Sequence, residues 1–197
     1  MVKEGIQVLN VRMGKENSEI LSVQIKLRNG IKQRIVVAYV PPKTNTWTKE
    51  KYEELLTCTI RTLKEEIKEH DNVLLAGDFN CKEVNWDDFE AGGTENNWGR
   101  RLLETMEENF MTQWVKENTR LRGSDEPARL DLIFTKGNDL KCNVRHKCPL
   151  GKSDHEILEF EVKCEIEKEP IEVHKENRRN YFKVDYKKSK AYFKNAD

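Results

Sequence analysis

The sequence predicts an α/β fold, one domain followed by a charged extension, on three observations. Runs rich in β-branched, alternating apolar residues recur along the chain and read as strands. Two stretches of helical periodicity sit between those runs. With 197 residues, 37% of them hydrophobic, the chain can bury one respectable core but hardly two.

The elements follow in order. Ile6 to Met13, Glu19 to Leu27 and Lys32 to Val40 alternate as strands, and Arg28-Asn29-Gly30 supplies a hairpin turn between the last two. Pro41-Pro42 stops the third strand because proline offers no ladder donor, and Lys43 to Trp47 is then a polar loop. From Thr48 to about His70, Tyr52, Leu55, Leu56, Ile60, Leu63 and Ile67 recur at helical spacing beneath a Lys/Glu face, a surface helix laid on a sheet. Asn72 to Gly77 is a continuous apolar run too short for a helix, hence a buried strand that ends in a polar loop at Asp78-Phe79-Asn80. Trp98 to Phe110 is a second short helix and Met111 to Val115 a return strand. Arg129 to Phe134, Leu140 to Arg145 and Glu156 to Lys163 are further strands, with Pro149 to Asp154 a loop. The four tryptophans, Trp47, Trp86, Trp98 and Trp114, read as core or loop anchors rather than base-stacking groups.

Composition removes several classes of function. Lys+Arg and Asp+Glu each total 35, so no global basic field draws the chain to nucleic acid and any such role rests on local charge. No apolar run approaches the roughly 20 residues of a membrane span, and MVKEGIQVLN contains no signal-like apolar stretch, so the protein reads as intracellular with no membrane partner. The five cysteines, Cys58, Cys81, Cys142, Cys148 and Cys164, are odd in number and scattered, which points to reduced thiols rather than a disulfide framework. Cys142, His146 and Cys148 lie near one another, yet their spacing fits no standard zinc module and they read as ordinary strand and loop residues. Beyond Cys164 the chain is dense in Lys, Arg and Glu, with Tyr181, Phe182, Tyr186, Tyr192 and Phe193 interspersed. That extension reads as a linker or a docking helix, or as a stacking and phosphate-binding strip.

Four short elements concentrate the chemistry: Tyr39-Val-Pro-Pro, Gly77-Asp-Phe-Asn80, Arg129-Leu-Asp131 and Gly151-Lys-Ser-Asp-His155. Each falls at a strand end or in a loop, where sites are built. Oxygen ligands without a Cys/His cage suit Mg²⁺ or Mn²⁺, and a carboxylate with a His–Asp pair suits water activation and phosphate chemistry. Taken singly, each also has a plainer reading. Asp78 and Asn80 can cap a turn, Asp131 can be a strand-end charge, Asp154-His155 a solvated loop, and Tyr39 a core tyrosine with its hydroxyl at the rim.

In this order the four elements resemble the endonuclease/exonuclease/phosphatase superfamily over about Gly5 to Lys163. Tyr39-Val-Pro-Pro, Leu75-Ala-Gly-Asp-Phe-Asn80 and Arg-Leu-Asp-Leu-Ile-Phe134 look most like the endonuclease domain of LINE-type (non-LTR) retrotransposons. The resemblance implies a DNase I-like four-layer α-β-β-α sandwich, Mg²⁺ (or Mn²⁺) as cofactor, DNA as substrate and nuclear access. It also implies a reverse transcriptase module as partner in the parent protein. It assigns Asp78 to orienting and activating the attacking water, Asn80 to positioning water or phosphate, and His155, held by Asp131, to a phosphate oxygen. Asp154 would support the metal, Tyr39 would bind phosphate near the leaving group, and Arg129 would contact the nucleic-acid backbone.

The family pattern also includes an early strand bearing an asparagine and a later one ending in a metal-binding glutamate. Neither has a counterpart here, since Glu4, Glu16 and Glu19 stand in the wrong context and Asn10 in the wrong strand. The expectation is therefore a domain over 1–163 that lacks its first strands, with sheet left uncovered, weak metal binding and little or no activity, followed by an extension over 164–197. The alternatives are a catalytically inactive remnant that binds nucleic acid or protein, and a phosphatase or lipid phosphoesterase on the same fold.

Overall fold

Alternation along the strands sorts side chains to the two faces of a six-stranded sheet, and each face acquires a different cover. The computed structural model describes residues 6–164 except 15, 16, 28, 29, 95, 124, 138 and 139. The charged extension with its aromatic residues, and the Arg28-Asn29 part of the expected turn, lie outside the described residues.

Strands β1 (Gln7–Met13), β2 (Glu19–Lys26) and β3 (Lys32–Tyr39) form an antiparallel meander. Helix α1 (Lys49–Lys68) then carries the chain over to β4 (Val73–Asp78), which pairs parallel to β3. The Thr48 side chain caps α1 by accepting the Lys51 N–H at 3.3 Å, with Glu50 in the first turn and Lys68 in the last, the polarity the helix dipole favours. A small hairpin, β5 (Val84–Asn85) and β6 (Glu90–Ala91), precedes α2 (Trp98–Glu108), which is capped by Asn97. Strand β7 (Thr112–Gln113) and β8 (Asp131–Lys136) complete the sheet in the order β1-β2-β3-β4-β8-β7, and β9 (Leu140–Lys147) pairs with β10 (Ile157–Cys164) as a separate ribbon.

The β5–β6 hairpin had no sequence signal, because two-residue strands offer no period to read. The expected return strand shortens to Thr112–Gln113, and β8 begins at Asp131 rather than Arg129, with the Leu130 and Asp131 N–H groups both donated to the Thr119 hydroxyl.

On one sheet face, Val36, Ala38, Val73, Leu75, Leu132 and Phe134 pack with Leu55, Leu63 and Ile67 of α1 and Leu102 and Met106 of α2. On the other, Leu74 and Ile133 meet Cys142 and Val144 of β9 and Leu158, Phe160 and Val162 of β10. Among the described residues this gives helices, a large sheet and a small second sheet. A helical layer outside β9–β10 is not among them, since only short loops connect β8, β9 and β10. The ribbon covers β4 and β8 and meets the meander at Ile35 of β3. On β1–β3, the cross-strand row Met13, Leu21 and Val37 faces solvent, with Met13 80% and Val37 48% exposed.

One charged cluster is buried beneath the helical cover. The Arg34 side chain, 1% exposed, stands 3.4 Å from Glu66, donates to Ser22 at 3.2 Å and reaches His70 Nε2 at 2.7 Å. Ser22 donates in turn to Glu66 at 2.8 Å. A guanidinium can only donate, so His70 is neutral here, and burial with the adjacent Arg34 charge lowers its pKa from the ordinary value. Removing one member strands the other charge. Glu66→Gln is expected to destabilise the fold by about 3 kcal/mol in urea denaturation. Val37→Thr, on the solvent face next to buried Val36, should stay within about 0.5 kcal/mol of the parent, and a larger loss would mean that face is covered.

Candidate active site

Three strand ends meet at one edge of the sheet. Tyr39 ends β3, Asp78 ends β4 and Asp131 begins β8, and the pairing sets Tyr39 beside Asp78 and Asp78 beside Asp131. Because β8 runs antiparallel to β4, the residue that opens one lies opposite the residue that closes the other. Cross-strand partners share a face, so both carboxylates lie on the side covered by the ribbon, in register with Leu74 and Ile133.

The loop after β4 is held tightly. A Cβ on Gly77 would fall 1.8 Å from the Ala38 carbonyl oxygen, so only glycine allows β4 to close on β3 immediately before Asp78. Asn80 adopts a left-handed conformation at φ 45°, which asparagine tolerates better than most residues. Its N–H donates to Asp78 Oδ1 at 3.0 Å and its side-chain amide to the Val40 carbonyl at 2.9 Å. Phe79 is fully buried against Phe134, and Trp98 Nε1 donates to the Phe79 carbonyl at 2.7 Å. Trp98 thus anchors this loop, as read from the sequence.

His155 precedes β10, and its Nδ1 lies 2.8 Å from Asp131 Oδ2. The carboxylate accepts, so Nδ1 carries a proton and the ring is oriented by that bond. Burial, then the Asp131 charge, pushes the Asp78 carboxyl up to about 6, against the opposing effects of the Asn80 N–H and His155. Potential ligand atoms of Asp78, Asp131 and His155 all lie within 4.8 Å of one another. Two half-buried carboxylates, one of them raised toward neutrality, leave a deficit of positive charge. That oxygen-rich donor set fits a hard divalent cation bound by Asp78 and Asp131.

Thr119 ties this constellation together, and the sequence reading missed it. Its fully buried hydroxyl accepts the Leu130 and Asp131 N–H groups at 3.1 and 3.0 Å, while its carbonyl accepts the Glu156 N–H at 2.8 Å. One residue therefore fixes both the strand end that carries Asp131 and the segment that carries His155. An isolated threonine in a polar stretch has no pattern that signals such a role.

Two of the expected residues stand apart from the cluster. Asp154 does not join the cluster: its carboxylate pairs with Arg120 Nε at 3.0 Å, which holds its pKa below the ordinary carboxylate value. Arg129 forks onto Asp87 at 3.1 and 3.2 Å and also donates to the Lys116 carbonyl. Tyr39 is 42% exposed, with no hydrogen bond from its hydroxyl among the described residues, a rim position rather than a core one. Of the zinc-spaced residues, Cys142 is buried in the ribbon core, His146 pairs with Glu156 at 2.6 Å and Cys148 is exposed.

Residues 33–159 match the model of a family described as endonuclease-reverse transcriptase. No curated protein matches the chain. Among solved structures, the chain is similar to a 3′ phosphatase, NExo, from Neisseria bound to a product DNA hairpin, at 14% identity and a TM-score of 0.57, covering 81% of this chain and 72% of that one. The endonuclease domain of TRAS1, a telomere-specific non-LTR retrotransposon, gives 17% identity and a TM-score of 0.55, covering 81% and 68%. Truncated TDP2 from Caenorhabditis elegans gives 10% and 0.53, covering 83% and 68%. At these identities the likenesses establish the fold, which is the DNase I-like α/β arrangement.

Because Asp78 titrates near 6 when folded and at 3.8 ordinarily, the folded chain retains a proton that the unfolded chain has lost between those values. Its contribution to stability is full below about 3.8 and is lost as pH rises through 6. Asp78→Asn keeps the acceptor for the Asn80 N–H, so it should raise Tm over the parent at about pH 7.5 and leave it nearly unchanged at about pH 3.5. At the higher pH, Mn²⁺ should raise the parent's Tm but not the variant's. Thr119→Val leaves two buried N–H groups unpaired and should cost about 1–3 kcal/mol by chemical denaturation, most of which Thr119→Ser restores.

Proposed function

This chain belongs to the endonuclease-reverse transcriptase family, and we propose that its site hydrolyses a phosphodiester bond of DNA with Mg²⁺ or Mn²⁺, leaving a 3′-hydroxyl. The observation that supports this most is the convergence of Asp78 with the Asp131–His155 pair, their potential ligand atoms all within 4.8 Å of one another. A carboxylate beside the reacting centre suits orientation of a water, and an oriented imidazole suits a phosphate oxygen.

In the reaction, Asp78 orients the attacking water and takes its proton, and Asn80 holds the Asp78 carboxylate through its N–H. His155 Nε2 addresses a non-bridging phosphate oxygen in its protonated form while Asp131 fixes the ring and balances the imidazolium charge. The Tyr39 hydroxyl, at the rim, contacts the phosphate on the side of the departing oxygen. Water attacks phosphorus in line, the bond to the 3′ oxygen breaks, and that oxygen takes up a proton to become the hydroxyl. A bound divalent cation supplies charge neutralisation of the phosphate and of the departing oxygen.

We assign residues 1–163 to this domain and 164–197 to a linker or extension. DNA is the partner, a reverse transcriptase module the companion in the parent protein, and a DNA substrate implies nuclear access. No helix among the described residues is long and apolar enough to cross a membrane.

Among the described residues, two carboxylates stand at the cluster, and such a small protein ligand set favours weak metal binding and impaired turnover. The same observation favours a second reading, a nucleic-acid or protein binding module without catalysis. Nicking of supercoiled plasmid with Mg²⁺ or Mn²⁺ separates the two. Slow, metal-dependent nicking, reduced at least about a hundredfold in Asp78→Ala and in His155→Ala, supports the nuclease. Absence of nicking by folded protein, or nicking unchanged in both variants, refutes it.

A further inference from the structure

The pairing of β9 with β10 ends at Lys147 and Ile157, so His155 lies two residues beyond the ladder, near the end of the connection that starts at Cys148. Strand pairing therefore does not fix its backbone, and other bonds must remove that conformational freedom. On one side of His155, Asp154 is held from residues 119–121. Its carbonyl accepts the Leu121 N–H at 2.8 Å and its carboxylate the Arg120 Nε–H at 3.0 Å. On the other side Glu156 is held twice. Its N–H donates to the Thr119 carbonyl at 2.8 Å, and its carboxylate accepts from His146 Nδ1 at 2.6 Å.

The two bonds to Glu156 come from different layers. Thr119 is joined to the large sheet at the start of β8, through the Leu130 and Asp131 N–H groups. His146 belongs to β9 of the ribbon, two residues past Val144 and four past Cys142, on the face that packs against the large sheet. The pair is mostly buried, with His146 16% and Glu156 20% exposed. Among the described residues, no other side chain of β9 or β10 bonds to residues 154–156. Consecutive side chains of an extended chain leave it on opposite sides. Fixing the Glu156 carboxylate to the ribbon therefore sets the rotation of the segment about its own axis, and with it the direction in which the His155 ring leaves.

We propose that His146 is a positioning residue for His155: by holding the Glu156 carboxylate, it sets the imidazole against Asp131. For its effect on turnover the inference rests on the reading of the Asp78–Asp131–His155 cluster as a phosphodiester site. The pose of the ring does not depend on that reading. A displacement of about 1 Å in an acting group lowers rate by up to about a hundredfold, even when its cause lies away from the chemistry.

The test reads the ring itself. Proton NMR of the full chain with isotope-labelled histidine detects a ring N–H that a hydrogen bond shields from exchange with water, and His155→Gln identifies the signal of the Asp131 bond. His146→Phe/Glu156→Leu removes both partners together and strands neither, a replacement close to neutral for folding. Glu156→Ala is the second tether variant, and it leaves no carboxylate unpaired. Both should keep the fold by circular dichroism and lose the His155 signal. Arg145→Gln/Glu159→Gln, which removes an exposed ion pair of 3.8 Å on the same two strands, should retain it. In the plasmid assay the tether variants should lower turnover by up to about a hundredfold with substrate affinity unchanged. The proposal is overturned if the parent shows no shielded His155 proton, if a folded tether variant keeps it, or if the exposed-pair control loses it. Unfolding of both tether variants overturns it too, since the pair would then hold the whole ribbon rather than one ring. A parent that does not nick but whose ring signal follows the tether refutes the catalytic reading alone. Nicking by a chain whose ring signal ignores the tether refutes the positioning alone.

Discussion

Strand β4 can pair with β3 only because position 77 has no side chain. The Ala38 carbonyl occupies the space that a Cβ would need, and the closure it permits sets the register of three strands at once. Tyr39, Asp78 and Asp131 fall into one cross-strand row as a result. A slip of one residue in β4 would turn Asp78 toward the helices and Leu75 away from them, so core and chemistry share one register. The geometry of this cluster is a by-product of sheet pairing, then refined by hydrogen bonds with Asn80 and Thr119.

The same row creates the electrostatic problem that the site exploits. Two carboxylates in adjacent strands, half-buried, repel one another and are poorly hydrated. The chain answers with one oriented imidazole at Asp131 and one backbone N–H at Asp78. That is enough to keep the pair in place but not to return Asp78 to its ordinary acidity. Arg120 and Arg129, which stand nearby in the sequence, do not help, since Asp154 and Asp87 engage them.

Much of this was legible from residue order. Strands with a clear period, the stripe of α1 and the punctuation at Pro41-Pro42 all match the observed elements to within a few residues. The motif residues Asp78, Asp131 and His155 do converge. What could not be read is the set of interactions made by single residues across long separations. Arg34 looks like a solvent-facing strand cation, yet it lies buried because Glu66, on the following helix, supplies its counter-charge. The partners of Asp154 and Arg129 were illegible for the same reason, since Arg120 and Asp87 carry no motif context.

The second sheet is a pair of strands among the described residues, and its last strand, β10, begins just after the histidine. His155 therefore reaches Asp131 only when the last-synthesised part of the domain has settled on a sheet face whose strands are already paired. Contacts across such sequence distances form late, because loop closure must precede their reward. A nascent chain folded as far as β8 would hold its two aspartates in register with no imidazole beside them. The Asp78–Asp131–His155 cluster would thus be incomplete at every earlier stage of synthesis, and completion of the fold and assembly of the cluster would coincide.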